Sequence, residues 1–244
     1  MNIIKLNAID STSTYLKRLS IDKTLDDYTV VVANYQTNGR GQMGAEWQSE
    51  SSKNLTFSVF KDVSSLSMEH TFCISMAVSL ALVDALKELQ IPKLKVKWPN
   101  DILSENKKIA GVLIENVIKN NTLDATIIGV GLNVNQKFFN DLPQASSMTL
   151  LTGIIYDKNE VLNVILRHIK NMLSKLKPEC ILGLKAEYEL QLFRLKKPST
   201  FVTCANNKTF SGFIEGVTTN GKLKLLLEDE VEKTFDLKEV KLLY

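Results

Sequence analysis

Three clusters in this 244-residue sequence combine residue types and spacings that could do chemistry. The first, Gly39-Arg40-Gly41-Gln42-Met43-Gly44, satisfies G-x-G-x-x-G. A dinucleotide fingerprint needs such glycines to open a helix, with an acidic residue about 20 positions on. Here Ala45-Glu46-Trp47 follows and then a strand, so that context fails. A kinase loop fails for want of H-R-D and D-F-G, and no G-x-x-x-x-G-K-[ST] occurs. What the glycines allow is close approach of backbone to an anion, with successive N–H groups and the fixed charge of Arg40. A plain surface loop is the alternative.

The second cluster, Lys97-Trp98-Pro99-Asn100-Asp101, places a cation, an aromatic face, a rigid turn, an amide and a carboxylate at a strand end. Its bland version is a core tryptophan followed by an ordinary turn. A Pro-Asn-Asp turn joining two strands would, however, return Lys108 beside the cluster, while Lys107 reads as a solvated hairpin tip. In the third cluster, Gly129-Val130-Gly131-Leu132-Asn133-Val134-Asn135, alternate glycines late in a strand permit close approach, and Asn133 and Asn135 would share a face. A bulge is the alternative there. Taken together, the clusters offer an anion loop, separate cations and a Trp–Asn–Asp group without a catalytic nucleophile. That suits nucleotidyl transfer, where a protein chiefly positions groups and neutralises phosphate charge.

The elements needed to hold these clusters are legible in outline. Residues 3–6 form a short apolar run, and Asp10-Ser11-Thr12-Ser13 offers N-cap residues for a helix through TYLKRL. Residues 29–35 read as a buried strand and 54–60 as a half-exposed one, joined by a connection (36–53) long enough to suggest function. A long helix is predicted over 67–89, strands over 95–98, 109–117 and 125–134, and helices over 161–177 and 181–192 with Pro178 between them. After Pro198 short strands alternate with turn signals such as Asn206-Asn207 and Asn220-Gly221, giving a small all-β unit of the SH3-like barrel kind.

Composition narrows the function classes. Thirty basic and 27 acidic residues leave a net charge of +3, which gives no case for nucleic-acid binding. Cys73, Cys180 and Cys204 show no disulfide or metal spacing, each reads as a buried apolar residue, and together they suit a reducing compartment. His70 and His168 lack partner motifs. No run approaches transmembrane length and no signal peptide is visible, so the expectation is a soluble, cytoplasmic protein.

In order along the chain, GRGQMGAEW at 39–47, NLTFSV at 54–59, KWPNDIL at 97–103, KKIAGVLIE at 107–115 and GVGLNVN at 129–135 resemble the biotin–protein ligases, as do Asp10-Ser11-Thr12 and the β-rich end. The resemblance covers essentially the whole chain. It implies an α+β fold: a mixed β-sheet flanked by helices over residues 1–195, and a C-terminal SH3-like β-barrel over 196–244. It implies that biotin and MgATP form biotinyl-5′-AMP, from which biotin passes to a lysine of a biotin carboxyl carrier protein. By motif position, Ser11, Thr12, Ser13, Gln36, Arg40, Gly41, Gln42 and Lys108 would line biotin and its activated carboxylate. Trp47 would pack on the adenine as the loop orders over the ligand, with Asn100, Asp101 and Asn133 on the nucleotide side.

Lys108 and Arg40 would carry catalysis, Lys108 bridging carboxylate and α-phosphate; no residue is assigned to hold a metal, and Mg²⁺ enters with ATP. Asp101 is a candidate to orient or deprotonate the acceptor amine. Two departures stand out. Ser13 replaces a common Asn, and Gln42-Met43-Gly44-Ala45 stands where many members have Arg-Arg-Gly-Arg, which implies weaker retention of the adenylate. The chain starts at the catalytic domain, so a monofunctional ligase is expected, monomer or homodimer, with no DNA or membrane partner. The rival readings are a lipoate- or octanoate-transferring enzyme, a non-catalytic binding module and a transcriptional repressor.

Overall fold

A computed structural model describes residues 1–140 and 142–244. Its organising element is helix α2 (Phe72–Glu88), in which 13 of 17 residues are buried, so it must be enclosed on all sides. Strands β1 (Ile3–Ile9), β2 (Val30–Gln36), β3 (Leu55–Asp62), β4 (Leu94–Lys97), β5 (Asp101–Ser104), β6 (Lys107–Lys119) and β7 (Thr122–Leu132) form one sheet in the order β1-β2-β3-β7-β6-β5-β4. The sheet is mixed, as expected: β1 and β2 are parallel and every other pair is antiparallel. Helix α2 packs on one face and is covered from outside by α4 (Lys158–Leu173) and α5 (Ile181–Gln191). Helix α1 (Thr12–Asp22), the crossover between β1 and β2, packs on the other face through Leu16 against Val31 and Ile127.

This layering explains where sequence pattern and structure differ. Strand β3 was expected to be half-exposed, yet residues 55–59 are all buried. It lies between β2 and β7 with helices on both faces, so its alternation marks two buried surfaces rather than core and solvent. The turn at Pro99-Asn100 does not lead straight to the strand carrying Lys108. An extra strand, β5, intervenes, and a hairpin at Glu105-Asn106, both at positive φ, returns the chain with Lys108 opposite Leu103. The expected proximity holds by a longer route. Helix α3 (Met148–Thr152) was not foreseen, because five residues show no periodicity; Ser147 caps its start and Gly153 in the left-handed region ends it.

Strands β8 (Pro198–Thr203), β9 (Thr209–Val217), β10 (Leu223–Leu227), β11 (Glu232–Phe235) and β12 (Val240–Leu243) form a second, antiparallel sheet in the order β11-β10-β9-β8-β12. Among the described residues β11 and β12 each pair with one neighbour, so the expected barrel is a five-stranded sheet not closed by hydrogen bonds. Phe201, Ile214, Val217 and Leu225 belong to the same core cluster as α2. The two sheets therefore share one apolar interior.

Two smaller expectations fail. Counted from the 3₁₀ turn Met68–His70, the α2 region is long and apolar enough by composition to cross a membrane, but 72% of that window is buried inside the protein. Its apolarity is accounted for by its central position. Of the cysteines only Cys73, on α2, is buried, whereas Cys180 and Cys204 are exposed, since they fall on a 3₁₀ turn and at a strand end. Burial pushes the Cys73 thiol up to about 11, which removes its reactive thiolate at neutral pH. A disulfide reagent at pH 8 should modify Cys180 and Cys204 at once and Cys73 only after denaturant is added. Prompt modification of all three would show that α2 is open in the native protein.

Candidate functional site

The three clusters meet in one cleft of about 250 Å³ on the α1 side of the sheet. One wall is the start of α1. Ser11 is its N-cap, in extended conformation, and accepts from Thr14 N at 3.5 Å. Thr12 donates from its backbone N and its Oγ1 to Gln36 Oε1, at 2.8 and 3.0 Å, tying α1 to the end of β2. The Thr12 and Ser13 hydroxyls also meet Ser58 Oγ, at 2.8 and 2.9 Å. Ser58 is fully buried and was not singled out from the sequence; its place two residues from Thr56 on the α1 face of β3 was the available signal. The result is a neutral end of the cleft, rich in hydroxyl and amide groups that can both donate and accept.

The opposite end is cationic. Lys108 Nζ lies 2.6 Å from Asp101 Oδ1, and Lys97 Nζ lies 3.6 Å from Asp101 Oδ2. Both oxygens of Asp101 thus face ammonium groups, the Lys108 contact being a short charge-assisted hydrogen bond and the Lys97 contact a looser ion pair. The turn that presents Asp101 is braced from below. Tyr188, fully buried on α5, donates its hydroxyl to the Pro99 carbonyl at 2.7 Å, and Asn100 donates its side-chain amide to the Val112 carbonyl. Burial first, then the nearby Asp101 and Glu189 charges, hold the Tyr188 phenol far above its usual range, so it stays a donor.

The glycine segment folds over the cleft as a small closed loop. Gly41 N donates to Ala45 O at 2.6 Å and Trp47 N to Gly39 O at 2.9 Å, with a 3₁₀ turn at Gln42–Gly44. The Gly41 N–H is therefore spent inside the loop, which corrects the expectation of an open nest of amides. Arg40 turns inward, 3.1 Å from Glu115 on β6 and 3.4 Å from the Thr14 hydroxyl. Trp47 lies flat on the sheet, its ring 5.4 Å from Lys108 Nζ. A Cβ at Gly131 would overlap the indole, and one at Gly129 would come within 2.6 Å of Ser13 Oγ. The alternate glycines do permit close approach, and the groups approaching are the protein's own Trp47 and Ser13.

Ser11, Thr12, Ser13, Gln36, Arg40, Gly41, Gln42, Trp47, Asn100, Asp101 and Lys108 all line this cleft. Asn133 does not. It is buried just past β7, donating from its side chain to Ser146 O at 3.0 Å, while Asn135 accepts from Thr149 Oγ1 and Tyr156 N. Both asparagines hold the segment around α3, although among the described residues the buried Asn133 Oδ1 has no hydrogen-bond partner. No cysteine or histidine among the described residues lines the cleft. Among the described residues no three His, Cys, Asp or Glu side chains gather to hold a metal.

A cleft with a neutral hydrogen-bonding end, a cationic end and a folded loop above defines an enzyme that works by placing groups and balancing charge. Comparison with known proteins gives the class a name. Residues 6–133 match the Biotin/lipoate A/B protein ligase family, and the chain belongs to that family. It is 26% identical over 235 residues to the bifunctional ligase/repressor BirA of Escherichia coli, covering 95% of this chain and 71% of that protein. It is 31% identical over 147 residues to the biotin–[acetyl-CoA-carboxylase] ligase of Mycobacterium tuberculosis, covering 59% and 53%. A biotin protein ligase from Aquifex aeolicus, solved with biotin and ATP, superposes with a TM-score of 0.81 at 28% identity over 99% of this chain and 98% of that one.

The seat of Trp47 is open to test. Gly131→Ala should expel the indole, shift tryptophan emission to the red and leave the strand intact. Gly183→Ala is the control, because a Cβ there meets nothing; it should leave emission unchanged and stabilise α5 by about 0.5–1 kcal/mol. Wild-type emission from Gly131→Ala would mean that Trp47 does not rest on that shelf.

Proposed function

We propose that this chain is an ATP-dependent biotin–protein ligase that joins biotin to AMP and then transfers it to a lysine of a biotin carboxyl carrier domain. The observation that carries this reading is the two-ended cleft. An acid with a neutral polar head fits it, its head among Ser11, Thr12, Ser13, Gln36 and Ser58 and its carboxylate near Lys108. The ureido ring of biotin offers donors and an acceptor to those groups, whereas the alkyl chain of octanoate or the dithiolane of lipoate would leave them unpaired. Sites built to hydrogen-bond a substrate reject analogues that cannot do so. The naming of relatives as biotin ligases and the biotin and ATP held by the Aquifex structure support the same choice.

In the first step a biotin carboxylate oxygen attacks the α-phosphorus and pyrophosphate leaves. Two anions must approach, and Lys108, Lys97 and Arg40 lower that repulsion and stabilise the charge that develops. Asp101 aims Lys108, so the incoming carboxylate or phosphate can exchange for Asp101 at an ammonium already in place. Mg²⁺ arrives as part of MgATP: the carboxylates lining the cleft are the exposed Glu46 and the half-buried Asp101, the latter already paired with two lysines, which suits an ion carried on phosphate oxygens rather than one held by a protein cage. Asn100 and Trp47 would face the nucleotide; Asn133 would contribute by fixing the neighbouring segment.

In the second step the acceptor amine attacks the acyl carbon and AMP leaves. That amine starts from an unperturbed pKa of about 10.4 and must lose a proton. With both oxygens engaged by lysines, Asp101 is better placed to orient the amine than to deprotonate it. Free cysteines on the surface suit a reducing cytoplasm, where we place the protein.

ATP–pyrophosphate exchange with MgATP should depend on biotin and stay at background with lipoate or octanoate. Exchange with lipoate would keep the chemistry and replace the substrate, and no exchange with any acid would overturn the reading. Lys108→Ala should lower biotin-dependent exchange by roughly a hundredfold or more with the thermal midpoint unchanged, as for loss of a group acting on transition-state charge. A wild-type rate would remove Lys108 from the mechanism.

A further inference from the structure

The glycine loop carries one cation, Arg40, and that side chain points down to Glu115 and Thr14, away from the loop's tip. The tip, Gln42–Gly44, has no charged side chain. It is not left unattached. The Lys238 ammonium donates to the Met43 carbonyl, linking the second sheet to the loop across 195 positions of sequence. Met43 and Lys238 both sit at positive φ, 53° and 63°, so each is the apex of a tight turn facing the other.

The Lys238 turn is itself pinned. Asp236 N donates to Glu239 Oε2 at 2.7 Å, Leu237 N to Asp236 Oδ1 at 2.8 Å, and Glu239 N to Asp236 O at 3.2 Å. The second sheet is also fixed to the catalytic floor, since Trp98 Nε1 donates to Gly221 O at 2.9 Å and Gln144 Nε2 to Tyr244 O at 2.9 Å. Trp98 belongs to the same turn that presents Asp101. The lysine that reaches the loop from above is therefore referenced to the turn that fixes Lys108 from below. Between them lies a second cleft of about 270 Å³, bordered by Gln42, Met43, Lys97, Trp98, Lys238 and Lys241, which shares Gln42, Lys97 and Trp98 with the catalytic cleft.

We propose that Lys238 is a positioning residue that latches the tip of the glycine loop to the C-terminal sheet and so keeps the loop over the activated acyl group. The role of the acyl group rests on the ligase reading above; the latch itself does not. Because Lys238 is exposed, the link is a reversible contact weakened by salt, suited to a cover that must open each turnover.

The test uses the full chain and an arginine-specific protease, whose cut after Arg40 requires the loop to open. When opening is fast relative to cleavage, the cutting rate reports the open population. Lys238→Met keeps length and removes charge; it should speed cleavage at Arg40 by about threefold to tenfold, the range for one ordinary hydrogen bond, because the exposed charge is screened by solvent. Lys238→Arg should restore protection, and both variants should melt with wild-type protein. A wild-type cutting rate in Lys238→Met, or no rescue by Lys238→Arg, overturns the latch. With biotin and MgATP, Lys238→Met should also raise the KM for ATP and release more acyl-adenylate while kcat changes little. Unchanged release alongside faster cutting would overturn the part concerning the acyl group. Faster cutting in a chain that shows no biotin-dependent exchange would sink the ligase reading and leave the latch.

Discussion

The contact between Asp101 and Lys108 is what the rest of the site depends on. A lysine has four rotatable bonds, and a cation that, in the mechanism proposed above, meets a carboxylate and a phosphate at one point cannot be left to wander. Asp101 supplies the restraint at 2.6 Å, and much of the surrounding structure serves to place Asp101. The short strand β5 exists between two tight turns, the first braced by Tyr188 and Asn100 and the second returning β6 in a register that sets Lys108 alongside. Helix α5 is drawn into the site in this way without contributing a lining residue.

At the other end of the cleft the constraint is closeness rather than charge. Helix α1 can press its first turn onto β7 only because Gly129 has no side chain, and Trp47 can lie on the strands only because of Gly131. Removing two side chains from a central strand costs packing and backbone entropy. The cost is offset by the depth of the core on the opposite face, where α2 is sealed on all sides. The sheet is thus divided, with the large apolar core on one face and the cleft, beside the smaller cluster under α1, on the other.

The sequence made the site more legible than the fold around it. Glycines, a tryptophan and lysines at unusual spacing drew attention to Arg40, Asp101 and Lys108, while Ser11, Thr12, Ser13, Gln36 and Gln42 were placed at the site only by the resemblance to a known family. Ser58 and Glu115 escaped notice because a serine in a strand and a glutamate after an apolar run look ordinary until a partner distant in sequence is known. Asn133 illustrates the converse. A motif places it near the site, but whether its amide points to ligand or to backbone depends on the segment around α3, which has no periodic signal. Strand β3 was misjudged because alternation records two different faces and cannot say that both are covered. The barrel expectation rested on strand count, turn residues and the family resemblance; the first two fix neighbour pairing but not closure.

The shared interior has a consequence for how the molecule comes apart. Residues of the second sheet pack into the cluster built around α2, and Gly221 is pressed against Phe72 at the start of that helix. Subunits of a chain that share buried area rarely melt separately, since exposing one exposes the other. The C-terminal sheet is thus no detachable module, and grafting it onto another protein or exchanging it for a homologous one would require recutting the core of both parties. Evolution of the two regions is tied together by volume: a larger side chain on one must be answered by a smaller one on the other.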